Sequence, residues 1–358
     1  MRHRQLAKTA PRDAAATLCH PMATTSADAS TELKPVLVTG GAGFIGSNLA
    51  AKLASDGRPV VIADTFATGD WRNCVEPLRA GADLVTLDDP LALDALWRLG
   101  PFETIYHQAA ITGVVADDGS ADVSASATRR MLGNNVEQFR LILDHAADSG
   151  AAVVWASSCS LYGRGPVPMV ESAKPDPLNI YALSKLAKEK MAERYAPRLA
   201  HPIVGLRYSN VYGPGEDHKG PLASMPHKLA KQMRAGHRPR VFEHGGQRRD
   251  FVYVADAVAA NLAANDAILA RRLEQGRAYS VNAGAGRSWT FNELIDELNR
   301  VLKTDLSPDY FPNPYDFTQD HTETDQSLAL ETIGYAPKYD LAQGLDAYAN
   351  SGKLGISA

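Results

Sequence analysis

Cysteine is scarce in this chain. There are three among 358 residues, Cys19, Cys74 and Cys159, far apart and without metal-ligand spacing. An odd, dispersed set argues against a disulfide framework and offers no zinc site, and it suits a reducing cytoplasm. Long apolar runs are missing as well, none approaching the roughly 18 residues that a membrane span needs. Nor does charge of one sign dominate. With 37 basic and 41 acidic residues the net charge is −4, which gives no electrostatic case for nucleic acid or an anionic membrane. No internal repeat is visible.

What is present divides in three. Residues 1–32 are rich in Ala, Thr, Ser and basic residues, without apolar periodicity. They read as a disordered or non-native extension, with a transit-type segment or a start at Met22 as alternatives. From 33 to 207, short apolar runs alternate with helical patterns. The runs are 35–39, 60–64, 84–88, 104–107, 152–157 and 203–207, with long helices expected over 125–148 and 178–197. That alternation predicts an α/β fold with a parallel, doubly wound sheet. From 208 to 350, Gly and Pro become frequent and the signals shorten. This part reads as a smaller substrate-binding domain, with 249–282 contributing to the first.

The first strand–helix junction carries Gly40, Gly43 and Gly46. Glycines there permit a tight turn and close backbone approach to a pyrophosphate, and the helix N-terminus favours the anion. Asp64 ends the second run, 18 residues past Gly46, where a carboxylate accepts from ribose hydroxyls and favours NAD over NADP. A turn cap is the alternative for Asp64, and Arg72 nearby would tolerate a 2′-phosphate. Asp88 ends the third run, within reach of an adenine amino group or simply on a surface loop.

Ser157 and Ser158 end a strand, where open parallel sheets place active-site groups. Tyr181 and Lys185 follow on the next helix, four residues apart and so on one face. A free tyrosine has a pKa of about 10. A nearby ammonium lowers it, making the pair a proton shuttle for an alcohol becoming a ketone.

Together with Thr39-Gly-Gly-Ala-Gly-Phe-Ile-Gly46, His107-Gln-Ala-Ala110, Arg207-Tyr-Ser-Asn-Val-Tyr-Gly-Pro214 and Arg249-Asp-Phe-Val-Tyr-Val254, these residues resemble the extended short-chain dehydrogenase/reductase family. The resemblance covers about 34–350. It implies a Rossmann-type fold, tightly bound NAD or NADP, a nucleotide-sugar substrate and a homo-oligomer. By match, Tyr181 would be the acid/base, Lys185 would hold the nicotinamide ribose and lower the tyrosine pKa, and Ser158 would bind the reacting oxygen. Phe44, Ile45, Ala109 and Asn135 would stand on the cofactor side. Asn210 and Arg249 would touch the substrate diphosphate, a task that suits the guanidinium fork.

Relatives that eliminate water carry an Asp-Glu pair where this chain has Cys159 and Ser160, and decarboxylating relatives carry glutamate at the second position. The resemblance therefore implies epimerisation. The segment Tyr212-Gly-Pro-Gly-Glu-Asp-His-Lys-Gly-Pro-Leu-Ala-Ser224 resembles the matching loop of ADP-glyceromanno-heptose 6-epimerases. That match makes Lys219 a second acid/base, beside His218 at the substrate; a loop lysine pairing a substrate phosphate is the alternative. Tyr315, in Asn313-Pro-Tyr-Asp, matches a late substrate loop of the same group. The alternative reaction is a 4-epimerisation of the UDP-glucose/galactose type, and a non-catalytic dinucleotide-binding module is more remote.

Overall fold

The computed structural model describes residues 33–113, 124–313 and 320–356. The extension 1–32 and Tyr315 lie outside them. The strands are β1 Val36–Thr39, β2 Val60–Asp64, β3 Asp83–Thr86, β4 Thr104–His107, β5 Ala152–Ser158, β6 Ile203–Tyr208, β7 Asn210–Tyr212, β8 Arg240–Phe242, β9 Arg248–Tyr253, β10 Ala278–Ala283, β11 Ser288–Thr290 and β12 Asp309–Phe311. The helices are α1 Phe44–Ser55, α2 Val75–Arg79, α3 Asp94–Trp97, α4 Ala125–Leu132, α5 Gln138–Ser149, α6 Ile180–Tyr195, α7 Met225–Arg234, α8 Val254–Leu269, α9 Phe291–Leu302, α10 Ser327–Ile333 and α11 Leu341–Asn350.

Seven strands form one sheet in the order β10-β6-β5-β4-β1-β2-β3, and every pairing in it is parallel. Parallel strands are covered on both faces, which is why they read in sequence as unbroken apolar runs rather than alternating ones. Val36 and Val38 pack on one side with Leu49, Leu53 and the α8 alanines. Leu37 points to the other side, with Phe139, Ile142 and Trp155. The strand order reverses between β1 and β4, and such a switch point opens a crevice beyond the strand ends. The third strand ends at Thr86, two residues short of the run expected from sequence, because the chain bends at Asp88 and Asp89.

The expected long helix over 125–148 is found as α4 and α5 joined by a π-helical turn, Gly133–Glu137. A one-residue bulge of this kind re-aims side chains along a helix, and here it buries Asn135. Beyond β6, β7 and β11 flank β9 in a small sheet and β8 pairs with β12. Their core joins Tyr212, Phe251, Leu294, Leu298 and Leu345.

Candidate active site

The crevice at the switch point is a cavity of about 580 Å³, and one wall is the glycine turn from Gly40 to Gly46. A Cβ on Gly46 would sit 2.2 Å from the Gly40 carbonyl oxygen, so no side chain fits at that crossing. Helix α1 has Gly43 at its N-cap and so no side-chain cap. Its first backbone N–H groups therefore face the cavity wall without a side-chain partner and suit an anion. Phe44 and Ile45 line the cavity in the same turn. The Ala109 backbone closes over Gly40, its nitrogen 2.6 Å from the place a Cβ would take. These features fit the pyrophosphate of a dinucleotide.

Asp64 lies at the end of β2 and accepts from the Ala42 and Phe66 amides, both at 2.9 Å. Burial raises its carboxyl above the usual range, against those hydrogen bonds. Arg72, which sequence offered to a 2′-phosphate, is held by Asp70, with Nε donating to Oδ1 at 2.9 Å. Asp88 is exposed on the bend after β3 and is not among the cavity-lining residues. Asn135 is buried and ties two segments of the site together. It accepts from the Ile111 amide at 2.8 Å, donates to the Ile111 carbonyl at 2.9 Å and donates to Ser184 Oγ at 3.2 Å.

Ser158, Tyr181 and Lys185 line the same cavity. Tyr181 sits in the first turn of α6, which Asn179 caps by accepting from the Ala182 amide at 2.9 Å. Lys185, one turn on, donates to the Ala156 carbonyl on β5 at 2.7 Å, and its Nζ lies 5.3 Å from the Tyr181 ring centre. The depressed tyrosine pKa expected from sequence is not found in the protein alone. Burial pushes the phenol up to about 12, with the Ser158 hydroxyl opposing by a hydrogen bond. The physical reason is desolvation: the phenol is buried, and Lys185 beside it is buried too, which lowers its own pKa to about 7.

The loop after β7 brings His218 and Lys219 to the cavity lining. Glu216 is fully buried and fastens this loop across its base, accepting from the Gly213 amide at 3.0 Å, the Ser224 amide at 2.6 Å and Ser224 Oγ at 2.8 Å. Lys219 Nζ stands 5.5 Å from the Phe44 ring centre, and burial lowers its pKa against the pull of Glu216. Burial lowers the His218 pKa too.

Asn210 and Arg249 are not brought to this cavity. Asn210 Nδ2 donates to the Asp250 carbonyl at 3.1 Å and Thr322 Oγ1 at 3.3 Å. Arg249 Nη1 donates to the Arg248 carbonyl at 2.8 Å and the Asp320 carbonyl at 3.2 Å. Gln108 and Tyr208 are among the lining residues not expected as site residues from sequence. With Asn261 they close a hydrogen-bonded triangle, Tyr208 Oη to Gln108 Oε1 at 3.1 Å, Gln108 Nε2 to Asn261 Oδ1 at 2.9 Å and Asn261 Nδ2 to Tyr208 Oη at 2.6 Å. Both stood inside quoted motifs, so position at a strand end, Tyr208 as the last residue of β6 and Gln108 one past β4, was the available signal. Among the described residues no group of acidic, His and Cys side chains could hold a metal, and no helix is long and apolar enough to cross a membrane.

A glycine turn, a serine–tyrosine–lysine set and a second lysine lining one cavity fit a dinucleotide-dependent enzyme. Residues 36–281 match the NAD dependent epimerase/dehydratase family, and the chain belongs to that family. It is 37% identical over 271 residues to an ADP-L-glycero-D-manno-heptose-6-epimerase of Alkalilimnicola ehrlichii, covering 72% of this chain and 78% of the relative. Among solved structures it is similar to the Helicobacter pylori ADP-L-glycero-D-manno-heptose-6-epimerase, with 30% identity and a TM-score of 0.77 over 89% of this chain and 96% of that one. It is also similar to the Thermotoga maritima UDP-glucose 4-epimerase, with 28% identity and a TM-score of 0.76 over 88% and 97%.

Proposed function

We propose that the chain epimerises ADP-D-glycero-D-manno-heptose at C6 to the L-glycero form, supplying a precursor of lipopolysaccharide core. The observation that carries this reading is that Tyr181 and Lys219 line one cavity together with the glycine turn. When bound, NAD would supply the hydride acceptor and donor. Tyr181 then takes the proton of the sugar hydroxyl while the Ser158 hydroxyl holds its oxygen. Lys185 would hold the cofactor ribose. Two epimers present their hydroxyls to opposite sides, and Lys219 serves the face that Tyr181 does not reach.

We assign NAD rather than NADP. What supports this is that carboxylates at Asp64 and Asp70 would disfavour a 2′-phosphate, and that Arg72 is already engaged by Asp70. Asn210 and Arg249 remain our assignment for the substrate diphosphate only with rearrangement of their present bonds. We place the boundary between cofactor and substrate parts near 208. The buried free thiols of Cys74 and Cys159 suit a cytoplasmic enzyme, and exposed Leu183 on α6 suits a homo-oligomer.

Incubation with ADP-D-glycero-D-manno-heptose, followed by NMR at C6, tests the reading. Inversion is expected, and its absence with cofactor-loaded protein overturns it. UDP-glucose/galactose interconversion that survives Lys219→Ala would instead favour a 4-epimerase.

A further inference from the structure

Lys219 reaches the cavity from a loop that belongs to the second part of the chain, yet that loop is joined to the nucleotide turn by two side-chain amides. Asn48, on α1, donates through Nδ2 to the Phe44 carbonyl of its own helix at 2.8 Å and to the Pro214 carbonyl of the loop at 2.9 Å. Asn73, in the 3-10 turn Trp71–Cys74, donates to the Ala42 carbonyl of the glycine turn at 3.2 Å and to the Gly215 carbonyl at 3.0 Å. An asparagine amide has two N–H donors, and each of these residues spends them on the two bodies in turn. Asn73 also sits 3.3 Å from His218 Nδ1. Gly215 allows the approach. Its φ is +96°, and a Cβ there would lie 3.2 Å from Asn73 Oδ1 and 3.4 Å from Asn48 Nδ2.

On the far side, Glu216 fixes the same loop to Gly213 and Ser224. The stretch 214–219 is thus held from the nucleotide turn on one side and from inside the loop on the other. Lys219 faces Phe44, a residue of that same turn. Three residues separate the last stapled carbonyl, Gly215, from Lys219, so a shift of the staples is transmitted to Nζ with little slack.

We infer that Asn48 and Asn73 are positioning residues that set Lys219 against the dinucleotide turn, so that the second proton donor and the hydride carrier keep one geometry. The inference rests on the reading of Lys219 as an acid/base. Neither asparagine acts on substrate. Each acts through the loop, and loss of either loosens Lys219 without removing its charge.

The experiment is a double-mutant cycle on kcat, using whichever of the two nucleotide sugars named above the wild-type chain turns over. Asn48→Leu and Asn73→Leu keep side-chain bulk and delete both donors. Bound cofactor and melting temperature are measured alongside. Each variant is expected to lower kcat by about 10- to 100-fold, the usual penalty for an ångström of misplacement, with cofactor content retained. In a Lys219→Ala background the same substitutions are expected to cause no further loss. Losses that multiply in that background would overturn the inference alone and mark the asparagines as general supports. Unchanged kcat in the single variants would overturn it too. Normal turnover by Lys219→Ala would overturn the acid/base reading and the inference with it. If Asn73→Leu fails to fold, Asn48→Leu decides, because its other bond stays within α1.

Discussion

Glu189 and Arg207 form a two-pronged ion pair directly behind the strand that ends in Ser158. Arg207 Nε meets Oε1 at 2.9 Å and Nη2 meets Oε2 at 2.8 Å, with both side chains 6% exposed. Ser157 Oγ donates to the same carboxylate at 2.8 Å, and Arg207 Nη1 donates to Tyr162 Oη at 2.9 Å. The network thereby joins β5, α6 and β6. Removing one partner of such a pair strands the other without water. Glu189→Ala is expected to destabilise the protein by about 3–5 kcal/mol, read by denaturant unfolding.

Lys188 presents the opposite case. It is fully buried, and its Nζ makes no hydrogen bond among the described residues. It lies 4.6 Å from the Phe139 ring centre and 5.0 Å from that of Trp155. Desolvation, then the nearby Lys185, pushes its pKa well below 10.5. Lys188→Met is expected to stabilise the fold by about 1–3 kcal/mol at neutral pH, the usual penalty of an unpaired buried polar group. Between the folded pKa and 10.5 the unfolded chain binds one more proton at this residue than the folded chain does. Wild-type stability therefore gains with rising pH in that window through Lys188, and the advantage of Met shrinks as pH rises. Urea unfolding of both proteins across that range checks the convergence.

Tyr181→Phe removes the phenol and leaves Lys185 bonded to Ala156. Cofactor is expected to remain bound while turnover falls by about 100- to 10,000-fold, the span of a positioned acid/base. Rates together with bound-nicotinamide absorbance decide. Near-normal turnover would remove Tyr181 from the proton path.

Asp70→Asn keeps an oxygen to accept from the Arg72 amide, the bond that caps the turn, but takes away the charge that holds the guanidinium. Freed Arg72 is expected to pair with a 2′-phosphate, which raises NADP affinity relative to NAD by about tenfold, in keeping with a single charge-assisted bond. Calorimetric titration of cofactor-stripped protein with each dinucleotide measures the ratio.

The cofactor half of the fold was legible because a parallel sheet writes itself as apolar runs. Val36–Thr39 and Ala152–Ser158 announced themselves in that way. The rest was harder for a physical reason. β7, β8, β11 and β12 have three residues each, too few to show a period. α7 and α11 could have been found from their starts, Ser224 before a proline and the Asp340–Gln343 capping box. Tyr181, Lys185 and Ser158 were visible as spacing. Asn48 and Asn73 were not, because their partners lie 166 and 142 residues away, and no local pattern encodes such a join. The tyrosine pKa was misread because sequence shows the nearby lysine but not the burial of both.

The seventh strand has a consequence for the chain as it is made. β6 pairs with β10, residue 203 beside 278 and 208 beside 283. On β10, Asn282 accepts from Tyr162 Oη at 2.6 Å and donates to the carbonyls of Met169 and Asp325 at 2.9 Å. A ribosome working from the N-terminus has finished the glycine turn, Ser158, Tyr181 and Lys219 long before it reaches these residues. Until then β6 is an open edge with unpaired amides, and Tyr162 lacks its acceptor. The nascent chain thus carries every proposed catalytic group before it has the strand that braces their back wall, and its edge needs shielding for the interval in which some 75 further residues emerge, several seconds at ordinary elongation rates.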